Sequence, residues 1–110
     1  MEGFVKGDVV ILEFPYSNLR EVKRRPVLIL KVPKGDDIIV AQITGESYEG
    51  DLEIPLDKHD FKQGGLKRKS YLRIDKIASI EKYLIKYQAG SLKKEKFNEL
   101  VDKICCFLKS

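Results

Sequence analysis

The sequence predicts a small, strongly bent antiparallel β barrel carrying one helix at its C-terminal end. Short apolar runs recur between turn formers, as in Val9-Val10-Ile11-Leu12, Val27-Leu28-Ile29-Leu30 and Ile38-Ile39-Val40-Ala41-Gln42-Ile43. Beyond Ser91 the apolar period changes to steps of three and four, the signature of an amphipathic helix. At 110 residues the chain has room for one core and one domain. The reading is mainly β, about five or six short strands followed by one α-helix. The single domain spans residues 1–110, with the barrel at about 5–90 and the helix at about 91–108. An open α+β sandwich is the alternative.

Gly7-Asp8 suits a turn into the first strand, Val9 to Leu12. Pro15, Ser17 and Asn18 stop that strand and predict an exposed loop over residues 15–23. The central stretch follows: Lys23-Arg24-Arg25-Pro26-Val27-Leu28-Ile29-Leu30. Its four aliphatics predict a strand buried on both faces. Pro26 lacks a backbone donor, which places it at the first position of that strand, and the strand runs to about Val32. Lys34 to Asp37 turns the chain, and Ile38 to Ile43 returns as a hairpin ended by Thr44 and Gly45. Pro55 makes Leu52 to Leu56 a short edge strand. Asp57 to Gly65 reads as a connector with one helical turn.

Ser70 to Ile80 reads as a long strand with Leu72 and Ile74 toward the core. Glu81-Lys82 turns, and Tyr83 to Tyr87 forms a last strand ending at Gly90. Ser91 is the expected N-cap of a helix of about 17 residues. Phe97, Leu100 and Ile104 form its buried stripe, each stabilising by ~1.5–3 kcal/mol. Cys105 and Cys106 lie ~100° apart around that helix, so at least one should pack as a small hydrophobe.

The composition, 43% hydrophobic and 35% charged, is that of an ordinary soluble protein, and the net charge is only +4. Any basic function must therefore come from where the charges lie. Arg20, Lys23, Arg24 and Arg25 form one basic segment, and Lys67, Arg68, Lys69 and Arg73 another. Together they hold more than a third of the 21 basic residues, with only Glu21 opposing them. Brought together, they would make one patch for a phosphate-bearing partner. Adjacent cysteines close no useful disulfide, which points to a reducing cytoplasm. One histidine and two adjacent cysteines give no zinc motif, so neither metal nor cofactor is expected. No signal peptide is read near the N-terminus, and no apolar run approaches the ~20 residues of a membrane span.

Arg25 is the first candidate site residue. A guanidinium at the mouth of a rigid strand has little entropy left to lose on binding phosphate. The ordinary alternative is a solvated loop end. Hairpin geometry brings Thr44 near Arg25, and a hydroxyl beside a guanidinium makes a phosphate cradle. Arg73 and Asp75 alternate with core residues and share one strand face, with Cβ atoms roughly 6–7 Å apart. That spacing suits a carboxylate base beside a cationic stabiliser on one phosphodiester. Read plainly, it is also a same-face ion pair of ~0.2–1 kcal/mol. Tyr16 either stacks on a base or packs on the barrel edge. His59 has no partner array of a triad and reads as a surface or capping residue.

These stretches together resemble the MazF/PemK family of toxins from bacterial and archaeal toxin–antitoxin systems. The resemblance rests on Gly7-Asp8-Val9-Val10, Lys23 to Leu30, Ala41-Gln42-Ile43-Thr44, Leu72 to Ile80, and Gly90-Ser91-Leu92 leading into a helix. It implies a small SH3-like antiparallel barrel, usually a homodimer, and a cytoplasmic, metal-independent endoribonuclease that cuts single-stranded RNA, often mRNA. The ribose 2′-hydroxyl attacks the adjacent phosphate, leaving a 2′,3′-cyclic phosphate and a 5′-hydroxyl. It also implies a cognate antitoxin that blocks the RNA groove, and a toxin–antitoxin complex that binds DNA. Arg25 matches the family's catalytic arginine and Thr44 its strand-end threonine. Arg73 and Asp75 match an acid–base pair of some members. Arg20, Lys23, Arg24, Lys67, Arg68 and Lys69 would contact RNA. The first loop departs from the family: Asn18-Leu19-Arg20-Glu21 stands where many members have Gly-Ser-Glu-Gln. Two other readings follow, a non-catalytic toxin acting on a protein target such as gyrase, and an RNA-binding module that no longer cuts.

Overall fold

In the computed structural model, which describes residues 3–15 and 22–110, the chain forms one curled antiparallel sheet and one helix. The strands are β1 (Asp8–Pro15), β2 (Val22–Lys31), β3 (Asp37–Thr44), β4 (Glu53–Leu56), β5 (Phe61–Gly64), β6 (Ser70–Glu81) and β7 (Ile85–Leu92). The helix α1 (Lys94–Lys109) follows, and single 3₁₀ turns lie at Lys58–Asp60 and Lys82–Leu84. The order across the sheet is β4-β6-β3-β2-β1-β7-β5, a half-barrel with the shortest strands at its two edges. The mainly β architecture with one C-terminal helix agrees with the sequence reading, but the described residues form seven strands.

The central strands are buried on both faces, as their unbroken apolar runs predict. Val9, Leu28, Ala41, Ile43, Leu72 and Ile74 point into one core, completed by Phe97, Leu100 and Ile104 of α1. Val10, Leu12, Val27, Ile29, Ile38 and Val40 point into a second core on the opposite side. Neighbours in sequence therefore belong to different cores, which is the period-2 rule of a strand.

Several boundaries differ from the sequence reading. β1 continues through Pro15, and β2 already begins at Val22. Tyr16, Arg20 and Glu21 lie outside the described residues. Pro26 lies inside β2 and does not open it. Up to Pro26, β2 pairs with β1, and the ladder to β3 begins at Val27↔Gln42. The missing N–H thus falls just before the second ladder starts, where it breaks no bond to β3. β5 has no apolar alternation to betray it. It forms because Gly64 and Gly90 let it approach β7 closely: a Cβ on Gly64 would stand 2.2 Å from the carbonyl oxygen of Ala89.

The last strand also differs. Tyr83 and Leu84 belong to a 3₁₀ turn, and β7 passes through Gly90 to Leu92. Ser91 is not the N-cap. It is buried in β7, and its hydroxyl donates to Asp8 Oδ1 at 2.8 Å. Asp8 Oδ2 accepts the backbone N–H of Val5 at 3.0 Å, and Gln88 donates to Ser91 Oγ at 2.9 Å. Lys93 occupies the N-cap without a side-chain bond, so the helix starts at Lys94. Cys105 and Cys106 are both exposed. The buried stripe ends at Ile104, and no residue after it is buried.

Two substitutions test these contacts. Ser91→Ala should lower stability by ~1–3 kcal/mol, the cost of leaving the buried Asp8 oxygen without its donor. Gly64→Ala should cost more than about 1 kcal/mol, since φ is +66° and the added methyl meets backbone. Urea unfolding midpoints measure both.

Candidate functional site

The two cores decide which candidate residues share a face. Leu28 points toward the helix-side core, so Arg25 and Val27 point to the opposite side. Ile43 points toward the helix, so Gln42 and Thr44 point away from it. Leu72 and Ile74 point toward the helix, so Tyr71, Arg73 and Asp75 point away. Arg25, Thr44, Arg73 and Asp75 thus project from one face of three neighbouring strands, β2, β3 and β6. Thr44 pairs with Tyr71 in β6, and the Val27↔Gln42 register runs toward Arg25 and Thr44 on the other side.

Arg73 and Asp75 form a two-pronged ion pair. Arg73 Nε donates to Oδ1 at 3.0 Å and Nη2 to Oδ2 at 3.1 Å, with both side chains partly buried. The guanidinium bonds hold the Asp75 carboxyl below the usual aspartate range, while Asp75 raises the guanidinium. Thr44 Oγ1 accepts the N–H of Glu46 at 3.2 Å, which starts the β3–β4 loop and leaves its own proton available to donate.

That loop adds residues not singled out from the sequence. Glu53 lies opposite Arg73 in the β4–β6 ladder. Its carboxylate accepts the Ser47 hydroxyl at 2.5 Å and the Tyr48 N–H at 2.6 Å, and these bonds lower its pKa. The Arg73 guanidinium carbon lies 5.4 Å from the centroid of the Tyr48 ring. The Tyr48 hydroxyl donates to Glu46 at 2.9 Å, which raises the phenol's pKa, and the charges of Arg73 and Arg25 act in the opposite sense. Tyr48 therefore sits within electrostatic reach of both arginines.

The other basic residues divide between the two faces. Arg24 points opposite to Arg25, and its Nε bonds Glu13 at 3.0 Å. Lys23 is exposed and alternates onto Arg25's side. Lys67, Arg68 and Lys69 are exposed. Lys67 and Arg68 line a groove of about 480 Å³ with Pro26, Gly45 and Ser70, residues that alternate onto the helix side of the sheet, opposite the cluster. An apolar slot of about 260 Å³ opens beside Arg25, lined by Val27, Val40, Gln42 and Ile77. His59 is exposed in the 3₁₀ turn before β5, where Asp57 and Asp60 make the cap.

Two guanidinia, a free hydroxyl proton and a carboxylate can bind a phosphodiester and accept a proton beside it. Among the described residues, no group of three or more His, Cys, Asp or Glu side chains could hold a metal ion. No described helix is long and apolar enough to cross a membrane.

Comparison with known proteins follows the same lines. Residues 5–108 match the family described as "PemK-like, MazF-like toxin of type II toxin-antitoxin system". Among solved structures, the Deinococcus radiodurans MazE-MazF complex (Form-II) superposes with a TM-score of 0.79 at 19% identity, over 99% of this chain and 98% of that one. The Mycobacterium tuberculosis toxin MazF-mt6 gives 0.68 at 26% identity, over 88% and 91%. An endoribonuclease from a mycobacterial species, in complex with its cognate antitoxin, gives 0.76 at 14% identity, over 97% and 96%. Among curated proteins, none matches the chain.

The pKa shifts fix a pH response. Asp75 and Glu53 are both depressed in the folded chain, so their contribution is complete above the unfolded values of ~3.9 and ~4.3 and is lost as pH falls through the lower folded values. Stability should hold from pH 7 to about 5 and fall below about 4. Asp75→Asn should remove part of that fall, read from urea midpoints across the pH range.

Proposed function

The chain belongs to the PemK-like, MazF-like toxin family of type II toxin–antitoxin systems, and from that premise we propose that it is a metal-independent endoribonuclease acting on single-stranded RNA. The observation that carries the reading is the grouping of Arg25, Thr44, Arg73 and Asp75 on one face of β2, β3 and β6. Arg25 stabilises the charge of the pentacoordinate phosphorane. The Thr44 hydroxyl donates to a phosphate oxygen and orients it. The 2′-oxygen bonds to phosphorus, the bond from phosphorus to the 5′-oxygen breaks, and the products are a 2′,3′-cyclic phosphate and a 5′-hydroxyl. The 2′-hydroxyl proton goes to the Asp75 carboxylate.

The resting ion pair shapes that last step. Bonded to Arg73, Asp75 is a weak base. When an incoming phosphate draws on the Arg73 guanidinium, Asp75 loses part of what depresses it and becomes a better acceptor. Arg73 then stabilises phosphate charge; a guanidinium is a poor proton donor, and the 5′-oxygen takes its proton from water. Lys23, Lys67, Arg68 and Lys69 steer the strand, while Arg24 shares its charge with Glu13. A cognate antitoxin covering this face in a cytoplasmic homodimer completes the reading.

The test is incubation of a long single-stranded RNA with purified protein in EDTA. Discrete fragments with cyclic-phosphate ends are expected, with Arg25→Ala slower by ~10²–10³-fold and Asp75→Ala also impaired. Intact RNA from folded protein would sink the nuclease and point to a toxin that acts by binding alone. Binding to a non-cleavable oligonucleotide should weaken with salt at a log–log slope of about −2 to −3, for three or four phosphate contacts. Alanine at Lys67 and Arg68 together should flatten it.

A further inference from the structure

We infer that Tyr48 is the stacking platform for one RNA base next to the scissile phosphate, an assignment that rests on the ribonuclease reading above. Tyr48 is already held at three points, one on its backbone and two on its side chain. Its backbone N–H is held by Glu53, its hydroxyl by Glu46, and the Arg73 guanidinium lies 5.4 Å from its centroid. The loop beneath it is knotted by its own bonds, Ser47 to Glu53 and the Glu49 N–H to Ser47, and Glu49 takes a left-handed φ of 51° to close it. Yet the residue is 61% exposed, so an apolar ring held in place is left facing solvent. Ordering a large exposed aromatic in this way removes the entropy cost that stacking would otherwise meet.

Charge selects what stacks there. Glu46 lies at the ring's hydroxyl and Glu53 at the Tyr48 backbone N–H, so two carboxylates close to Tyr48 disfavour a phosphate on the ring itself. A base is neutral and has a π face, so it meets no such repulsion. The Arg73 guanidinium on the ring completes an arginine–tyrosine–base stack. The same guanidinium is bonded to Asp75, so a base seated on Tyr48 sets its own phosphate beside the proposed acid–base pair. The Tyr48 hydroxyl helps to hold the ring through Glu46, but it is the ring that stacks.

The chain contains no tryptophan, which makes the experiment direct. Tyr48→Trp introduces a single indole, and titration with a 2′-O-methyl oligonucleotide, which binds but is not cut, should quench its emission at the concentration that saturates binding by an independent filter assay. On cleavable RNA, Tyr48→Phe and Tyr48→Trp should keep activity within about threefold, while Tyr48→Leu and Tyr48→Ala should lose about 5- to 150-fold, equivalent to ~1–3 kcal/mol per stacked base. Oligonucleotide bound without quenching, or full activity in Tyr48→Leu, would overturn the stacking role and leave the nuclease standing. Loss in Tyr48→Phe as deep as in Tyr48→Ala would overturn it in favour of the hydroxyl. If the folded native chain neither binds nor cuts RNA, the ribonuclease reading fails and the inference falls with it.

Discussion

Burial of β2 on both faces is the constraint on which the rest depends. Leu28 and Ile29 are each fully buried, but in different cores. A strand gripped from two sides has one register and one set of faces, because a slip of one residue would exchange every side chain between the cores. The grip extends outward along the chain. It sends Arg25 to one side of the sheet and Arg24 to the other, although the two are neighbours with the same charge. The chemistry available at the start of β2 is therefore decided by aliphatic packing a few residues downstream. The same holds in β6, where Leu72 and Ile74 anchor the strand and leave Arg73 and Asp75 together on its outer face.

The site built on that scaffold is a balance of opposite charges. Asp75 holds the Arg73 guanidinium flat in a two-pronged bond, Tyr48 covers it, and Glu53 faces it across the ladder. Two carboxylates and an aromatic ring around one cation keep it oriented without leaving a large unopposed positive field. Arg25 stands two strands away on β2, and no described residue forms such a collar around it. The two arginines are thus unlike in kind, one preset and partly neutralised, the other presenting its full charge to an arriving anion. This asymmetry suits a site that must bind phosphate and also keep a carboxylate within reach of it.

Much of this was legible in the residues. The continuous runs Val9 to Leu12 and Val27 to Leu30 announced strands buried on both faces, and the alternation Tyr71-Leu72-Arg73-Ile74-Asp75 announced a shared face for Arg73 and Asp75. The hairpin from β2 to β3 placed Thr44 by Arg25 because antiparallel pairing leaves little choice. What stayed hidden depends on contacts between distant segments. Phe61 to Gly64 carries no strand pattern, and only the approach of Gly64 to Gly90 makes it one. Ser91 has the chemistry of a helix cap, but its hydroxyl is claimed by Asp8 from the other end of the chain. Tyr48 lies in a polar loop whose significance appears only when β4 pairs with β6 and sets Glu53 against Arg73. Lys67 and Arg68 make one patch with Arg24 and Arg25 only if the fold joins the two segments, and strand alternation divides those two arginines between faces.

The bond between Asp8 and Ser91 has a consequence for how the chain is made. It joins positions 83 residues apart, and β7 covers an edge of β1 that nothing earlier in the chain can cover. At ~5–20 residues per second, a ribosome needs about 4–17 s to travel from one residue to the other. Through that interval the nascent sheet is open on the β1 side, and the helix that seals the first core has not been synthesised. The surface of Arg25, Thr44, Arg73 and Asp75 therefore stands on a sheet that is closed only late in translation, several seconds after β1 is made.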